Sequence, residues 1–277
     1  MEPISTLEIC NLSISISPPN KILDNFNFSI EKGKTYLLTG PTGCGKTTLF
    51  KFLKGIIPLF YPAEIKGTVK INSNSLNIEK FLEYRTQIGY LYQDPQLQVI
   101  GTTVENDLAF SLENKGYSRE KVIENIQLLS DQMQLNHLLE RSPNDLSGGE
   151  IALVALASLI LEDPSIYLLD EITAFLDKTS KENVLNSLLH LKSKKKTILI
   201  ISHDIESYLP MVDEIIVIKR GENIWNGNPV DFFSTNGEKI SSLVNIPIFY
   251  KLQSNSINKR KDLSFKDTLS LLKGGEL

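Results

Sequence analysis

The sequence predicts an α/β fold: one large domain on a parallel sheet, with a small antiparallel β layer ahead of it, a helical insertion, and a C-terminal appendage. Three observations carry this expectation. The apolar runs Tyr36-Leu-Leu38, Ile166-Tyr-Leu-Leu169 and Ile198-Leu-Ile-Ile201 have strand length without alternation, the pattern of strands buried on both faces. Stretches of helical periodicity separate them, with Leu108 and Leu112, then Val122, Ile126 and Leu129, spaced to form apolar stripes. Each run also stops at groups with chemistry, Gly40, Asp170-Glu171 and His203, and parallel sheets collect their ligand-binding residues at such strand ends.

A chain of 277 residues can bury a full core, and this length suits one large domain with an appendage better than two independent domains. A formal net charge of -4 gives no reason to expect nucleic acid as a partner. Cys10 and Cys44 are expected to be reduced, because Cys44 lies within a glycine-rich loop that a disulfide would distort. The start, Met-Glu-Pro-Ile-Ser-Thr-Leu-Glu, lacks the basic flank and apolar run of a secretory signal. No apolar run approaches the roughly 20 residues a bilayer-spanning helix needs, so any membrane role is expected to be peripheral.

Leu7 to Ile16 and Phe26 to Ile30 read as antiparallel strands around the turn Ser17-Pro-Pro-Asn20, a small β layer ahead of the central strand, and Gly67 to Ile71 reads as another strand. Between them comes Thr35-Tyr-Leu-Leu-Thr39, then Gly40-Pro41-Thr42-Gly43-Cys44-Gly45-Lys46-Thr47-Thr48. A buried strand, a glycine-rich turn and a helix bearing lysine and threonine form the pattern of a nucleotide-phosphate cradle. Its glycines let backbone N–H groups converge on phosphate oxygens, and the helix N-terminus adds positive potential. Lys46 is expected to reach the β and γ phosphates, and Thr47 to hold Mg²⁺.

Ile88-Gly-Tyr-Leu-Tyr92 reads as another strand, ending at Gln93 before a proline-broken loop. An amide there can be a simple turn residue, or can face a Mg²⁺-bound water. The helical insertion, about 95–150, closes at Leu146-Ser147-Gly148-Gly149-Glu150, which leads into the apolar helix Ile151 to Leu161. Ser147 and Glu150 have the spacing of a capping box, sufficient to start any helix; the same cap also offers free N–H groups and a hydroxyl to an anion.

The run ending at Asp170-Glu171 supplies two carboxylates, Asp170 for Mg²⁺ through water and Glu171 to polarise the water that attacks a γ-phosphate. His203 alone would read as structural, but it stands at a third strand end. Lys192 to Lys196 reads as a solvated helix terminus. Glu214 to Gly227 reads as a closing hairpin, and the composition shifts near Val230.

In this order, the phosphate loop, Gln93, Leu146 to Glu150, Asp170-Glu171, Leu176-Asp177 and His203 resemble the ATP-binding cassette (ABC) ATPases over roughly residues 5 to 230. Tyr92 to Phe110, Gly55 to Tyr61 and Ile246 to Leu252 look like the ATPase subunits of energy-coupling factor (ECF) importers, which take up vitamins or cobalt and nickel. The resemblance implies the ABC ATPase fold: a RecA-like parallel core, an antiparallel β subdomain and a helical insertion. It divides the chain into a nucleotide-binding domain over 1–230 and an appendage over 231–277, with dimerisation as the appendage's candidate role.

The resemblance also implies a mechanism. ATP and Mg²⁺ on one subunit's phosphate loop are capped by the partner's Leu146 to Glu150 signature. Glu171, His203 and Gln93 serve catalysis, Thr47, Gln93 and Asp170 the metal, and Leu176-Asp177 the dimer loop. The implied partners are a second ABC ATPase subunit and integral-membrane scaffold and substrate-binding subunits, at the cytoplasmic face of the membrane.

Several residues depart from the family pattern. Glu150 replaces glutamine, Ile151-Ala-Leu153 replaces a basic or amide-bearing segment, and Ile172 replaces proline. Phe175 stands where small residues are usual, and Ile16 where an aromatic residue would stack on adenine. These departures favour a heterodimer over a homodimer. The alternatives are a soluble clamp-type ABC ATPase for repair or assembly, and a catalytically weak ATP-binding module.

Overall fold

The computed structural model describes residues 5–16, 18–72, 74–75, 84 and 86–235. The stretch Ile246 to Leu252 and most of the expected appendage lie outside them. Two sheets organise the described chain. The first is antiparallel and contains β1 (Ser5–Ser15), β2 (Leu23–Glu31), β4 (Glu64–Ile71) and β5 (Asn74–Ser75), in the order β2-β1-β4-β5.

The second sheet has six strands in the order β10-β9-β3-β8-β7-β6. They are β3 (Thr35–Thr39), β6 (Ile88–Leu91), β7 (Ile166–Asp170), β8 (Thr197–Ile201), β9 (Glu214–Lys219) and β10 (Glu222–Gly227). Neighbours pair in parallel except β10, which returns antiparallel to β9 as the expected closing hairpin.

The unbroken apolar runs are explained by packing on both faces of this sheet. Side chains alternate across a strand, so Tyr36 and Leu38 enter the core beneath the antiparallel layer while Leu37 enters the core beneath the helices. Leu168, Leu199 and Ile216 follow the first pattern; Leu169, Ile200 and Ile215 follow the second. A polar side chain at either kind of position would be buried, so neither face can alternate.

Helix α1 (Lys46–Leu53) leaves the phosphate loop and buries Leu49, Phe50, Phe52 and Leu53. The proline-marked stretch after it contains a short helix, α2 (Ile56–Leu59). The insertion contributes α3 (Val104–Asn114), capped by Thr103, and α4 (Arg119–Met133), which buries Val122, Ile126, Leu129 and Met133 on one stripe. Helix α5 (Gly148–Glu162) is buried nearly all round, as its composition requires. Leu156, fully buried within it, would cost about 2–5 kcal/mol if cut to alanine.

Helices α6 (Lys178–Ser193), α7 (Ile205–Tyr208) and α8 (Pro229–Thr235) complete the described chain. Helix α8 straddles residue 230, and its Phe232 is fully buried, edge-on to Trp225 at 4.9 Å. The basic end of α6 is paired where a solvated terminus was expected. Lys192 Nζ donates to Met211 O at 2.6 Å and Asp213 Oδ1 at 2.8 Å, and Lys196 pairs with Asp163. These contacts tie α6 to the loop ahead of β9 and to the end of α5, which composition alone could not reveal. No helix among the described residues is long and apolar enough to cross a membrane.

Candidate active site

Register places the chemistry. Leu91 pairs with Leu169 and Asp170 with Ile201, so β6, β7 and β8 end together, and their next residues emerge at one edge of the sheet. A cleft of about 990 Å³ opens there, lined among others by Lys46, Thr47, Gln93, Asp170, Glu171 and His203. The expected phosphate-loop, metal and catalytic groups are thus gathered in one place.

The phosphate loop could be built only with glycine at its tightest points. Gly40 has φ 145°, and a Cβ there would lie 2.1 Å from Ile218 O. Gly45, at φ 108°, caps α1, and its Cβ would lie 2.7 Å from Leu23 Cδ2. Lys46 is buried, with its ammonium donating to Gly40 O at 2.8 Å and Pro41 O at 3.1 Å. Gly221, in the β9–β10 turn, donates to Cys44 O and accepts from Asp24 N–H, each at 3.1 Å, and so braces the loop from behind.

Asp170 is buried at the end of β7. Burial raises its pKa above the usual carboxylate range, opposed by the Thr47 side chain and Tyr90, and then by the charge of Lys46. Tyr90 donates to Oδ2 at 3.0 Å, while the buried Oδ1 makes no hydrogen bond. A buried carboxylate oxygen without a donor is costly unless a cation or water meets it. With Thr47 alongside, these groups fit a divalent cation shared with phosphate oxygens, which Mg²⁺ favours over an all-protein cage.

Glu171 adopts left-handed backbone geometry at φ 51° and donates its N–H to Ile201 O at 3.0 Å. Burial raises its carboxyl pKa, against the His203 backbone amide and Lys46, so it is a better proton acceptor than a solvated glutamate. His203 Nε2 lies 3.4 Å from Glu171 Oε1. Burial, then repulsion from Lys46, lowers the His203 pKa, keeping the imidazole neutral and able to donate one N–H toward a phosphoryl oxygen.

The signature residues lie elsewhere. None of Leu146, Ser147, Gly148, Gly149 and Glu150 lines this cleft. The capping box forms as expected: Ser147 Oγ accepts from Glu150 N–H at 3.3 Å, and Glu150 Oε2 accepts from Ser147 N–H at 2.7 Å. Gly148 and Ile151 line an adjoining cleft of about 390 Å³, which shares Gln93, Glu171, Phe175 and Leu176 with the first. Asp177 caps α6 through Ser180, accepting from its N–H at 3.0 Å and its hydroxyl at 2.6 Å. A Cβ on Gly149 would lie 2.1 Å from Ser180 Oγ, so the start of α5 and the start of α6 are packed against each other within one chain.

Sequence reasoning missed Tyr90, which reads as one more core aromatic until its hydroxyl is seen on Asp170. It also missed Gln98, whose amide accepts from Tyr92 N–H and donates to Tyr90 O, both at 2.7 Å, stapling the strand exit next to Gln93. Ile22 lines the phosphate cleft, whereas Ile16, where the family pattern has its adenine-stacking residue, is exposed.

Comparisons with known proteins agree with this geometry. Residues 23–174 match the family described as ABC transporter. The energy-coupling factor transporter ATP-binding protein EcfA1 of Mesomycoplasma hyopneumoniae is 36% identical over 91% of this chain and 90% of its own length. EcfA of Enterococcus faecium is 32% identical over 92% of this chain and 89% of its own. Among solved structures, cbiO1 of Clostridium perfringens, part of the ABC transporter complex cbiONQ, superposes with a TM-score of 0.76 at 25% identity, covering 90% of this chain and 99% of that one. The phosphate loop, the paired carboxylates, the separated signature and these similarities lead to one conclusion: the chain belongs to the ABC transporter family, among the energy-coupling factor ATP-binding proteins, and is an ATPase.

Proposed function

We propose that this chain energises an ECF-type importer for a vitamin or a transition-metal ion, as one half of an ATP sandwich seated on a membrane scaffold subunit at the cytoplasmic face. The observation that carries the reading is the separation within one chain between a phosphate cleft and a signature cap that does not line it. Each cleft then needs a cap from another subunit. A heterodimeric arrangement is supported by the departures at Glu150, Ile172 and Phe175, the last 85% exposed beside the site.

In this reading the loop Gly40 to Thr48 wraps the triphosphate with backbone N–H groups, and Lys46 turns its ammonium to the β and γ phosphates. Bound Mg²⁺ would offset the charge developing between those phosphates, and Thr47, Asp170 Oδ1 and Gln93 are the groups that would hold it. Glu171 orients the attacking water and accepts its proton, and neutral His203 donates to the transferring phosphoryl group. The partner's Ser147 cap completes the site, so closure of the two subunits and hydrolysis are linked.

Leu97 and Ile100 are 72% and 68% exposed on the segment between Gln93 and α3, where a coupling helix of the scaffold subunit can pack. Movement at Gln93 would then reach the membrane. Purification from membranes in mild detergent tests the reading. Recovery with integral-membrane subunits and a second ATP-binding subunit is expected; recovery with only soluble partners would overturn it.

A further inference from the structure

The cap at Ser147 is an unusual surface to present to a triphosphate, because Glu150 carries a negative charge within its first turn. An anion approaching a helix N-terminus is helped by free N–H groups and positive potential, and a carboxylate there competes for both. The following residues, Ile151, Ala152 and Leu153, are apolar and buried, so the helix itself offers no cation in compensation.

The compensation comes from outside the helix. Arg141 Nη1 lies 3.2 Å from Glu150 Oε1, while the other carboxylate oxygen, Oε2, is held by Ser147 N–H. Arg141 Nη2 donates to Asp145 O, so the guanidinium spans the turn that precedes the signature. Its backbone is fixed as well: Arg141 N–H donates to Leu138 O at 2.9 Å, and Arg141 O accepts from Val104 N–H at 3.0 Å. The planar fork suits this two-point grip, which a lysine could not reproduce.

We infer that Arg141 is a positioning residue for ATP capping: it neutralises Glu150 and turns the carboxylate away from the anion-facing edge, so that the divergent signature can close over a nucleoside triphosphate on the neighbouring subunit. Gly148 leaves that edge open, since a Cβ there would meet no atom within 4 Å. Ser147 Oγ accepts from Glu150 N–H within its own turn, and its hydroxyl also lies within reach of the Glu150 carboxylate. The inference rests on the shared-site reading above.

The test uses the assembled transporter in mild detergent. Fluorescence energy transfer between labels on the two ATP-binding subunits gives the ATP concentration for half-maximal closure. Arg141→Gln is expected to raise that concentration by about three- to tenfold, the scale of one unpaired charge at a helix terminus. Arg141→Gln with Glu150→Gln should restore it, because no carboxylate then needs a counter-charge, and the effect of Arg141→Gln should shrink as salt rises. A purely structural clamp on Asp145 O would make the double variant as weak as Arg141→Gln, which would overturn the inference alone. Ser147→Arg separates the two levels: closure indifferent to it overturns the shared-site reading and this inference together.

Discussion

Tyr90 donates its hydroxyl to Asp170 Oδ2 at 3.0 Å inside the core, and the other carboxylate oxygen is left buried without a hydrogen bond. Tyr90 is itself held edge-on to Phe50 at 5.8 Å and to Tyr92 at 4.5 Å, so its hydroxyl has little freedom. In the proposed metal role, the pair would select which oxygen of Asp170 is offered to the cation. Tyr90→Phe keeps the ring packing and removes only the donor. A hydrogen bond to a charged group contributes about 1.5–3 kcal/mol, so Mn²⁺ affinity in the presence of ATP should fall by roughly tenfold or more. Spin-resonance titration of Mn²⁺ measures this; unchanged affinity would remove the positioning role.

Glu171→Gln should abolish most turnover while ATP still binds, a loss of at least about 100-fold if Glu171 is the base. The assay is MgATP hydrolysis by the assembled complex, with binding followed by a fluorescent ATP analogue. Undiminished hydrolysis would exclude Glu171 from proton transfer.

The parts of this site that could be read from the sequence were those whose chemistry is local. The phosphate loop, the cap at Ser147 and the carboxylates of Asp170-Glu171 are each defined by neighbours within a few residues, and each lies where the strand and helix pattern put it. Tyr90, Gln98 and Arg141 were hidden because their partners are remote or their side chains have more common uses. Nothing local distinguishes a core tyrosine from one whose hydroxyl reaches a residue 80 positions away. Lys192 and Lys196 illustrate the converse: a charge run usually faces solvent, and here the loop before β9 and the end of α5 supply its partners.

Glu171 and His203 should make stability respond to pH at this site with opposite signs. Burial raises the Glu171 pKa above its unfolded value, so its ionised form is disfavoured in the fold. Stability contributed by this group is therefore present below the unfolded value of 4.5 and is lost as pH rises through the folded value. Glu171→Gln should consequently be more stable than the parent chain at pH 8, with the difference shrinking on acidification. His203 has the reverse sign: its pKa is lowered from 6.5, so stability is lost as pH falls below that value toward the folded pKa. Urea midpoints in EDTA without nucleotide, for the parent, Glu171→Gln and His203→Gln, measure both slopes. A glutamine variant less stable than the parent at pH 8 would contradict the burial argument.

Gly40→Ala tests the loop's backbone geometry. An added Cβ would meet Ile218 O at 2.1 Å, and φ 145° is a strained region for alanine. The change should destabilise the chain by about 1–3 kcal/mol and weaken ATP binding, since β3 and β9 must separate to admit the methyl group. Gly43→Ala, at φ 78° with nothing within 4 Å, carries backbone strain alone and should cost less. Thermal unfolding of the two variants side by side gives the comparison, and equal losses would show that the contact with Ile218 yields easily.

Asp107 decides how the Gln93 segment is attached to the signature helix. Its side chain is buried at the start of α3, where Oδ1 accepts from Ile100 N–H at 2.8 Å and Gly101 N–H at 3.0 Å, and Oδ2 accepts from Ser158 Oγ at 2.8 Å. Ser158 belongs to α5, the helix capped by Ser147, so one carboxylate joins the loop, the insertion and the signature element. Asp107→Leu would leave three donors unsatisfied at about 1–3 kcal/mol each, an upper bound because the loop can relax toward water. Asp107→Asn should be much milder, since the amide oxygen can serve both backbone donors and the amide nitrogen can donate to Ser158 Oγ. Ser158→Ala removes one partner and should fall between the two. Urea unfolding orders the three variants, and hydrogen exchange at Ile100 and Gly101 locates the change. If Asp107→Asn proved as damaging as Asp107→Leu, the negative charge rather than the hydrogen-bond pattern would be what holds this junction together.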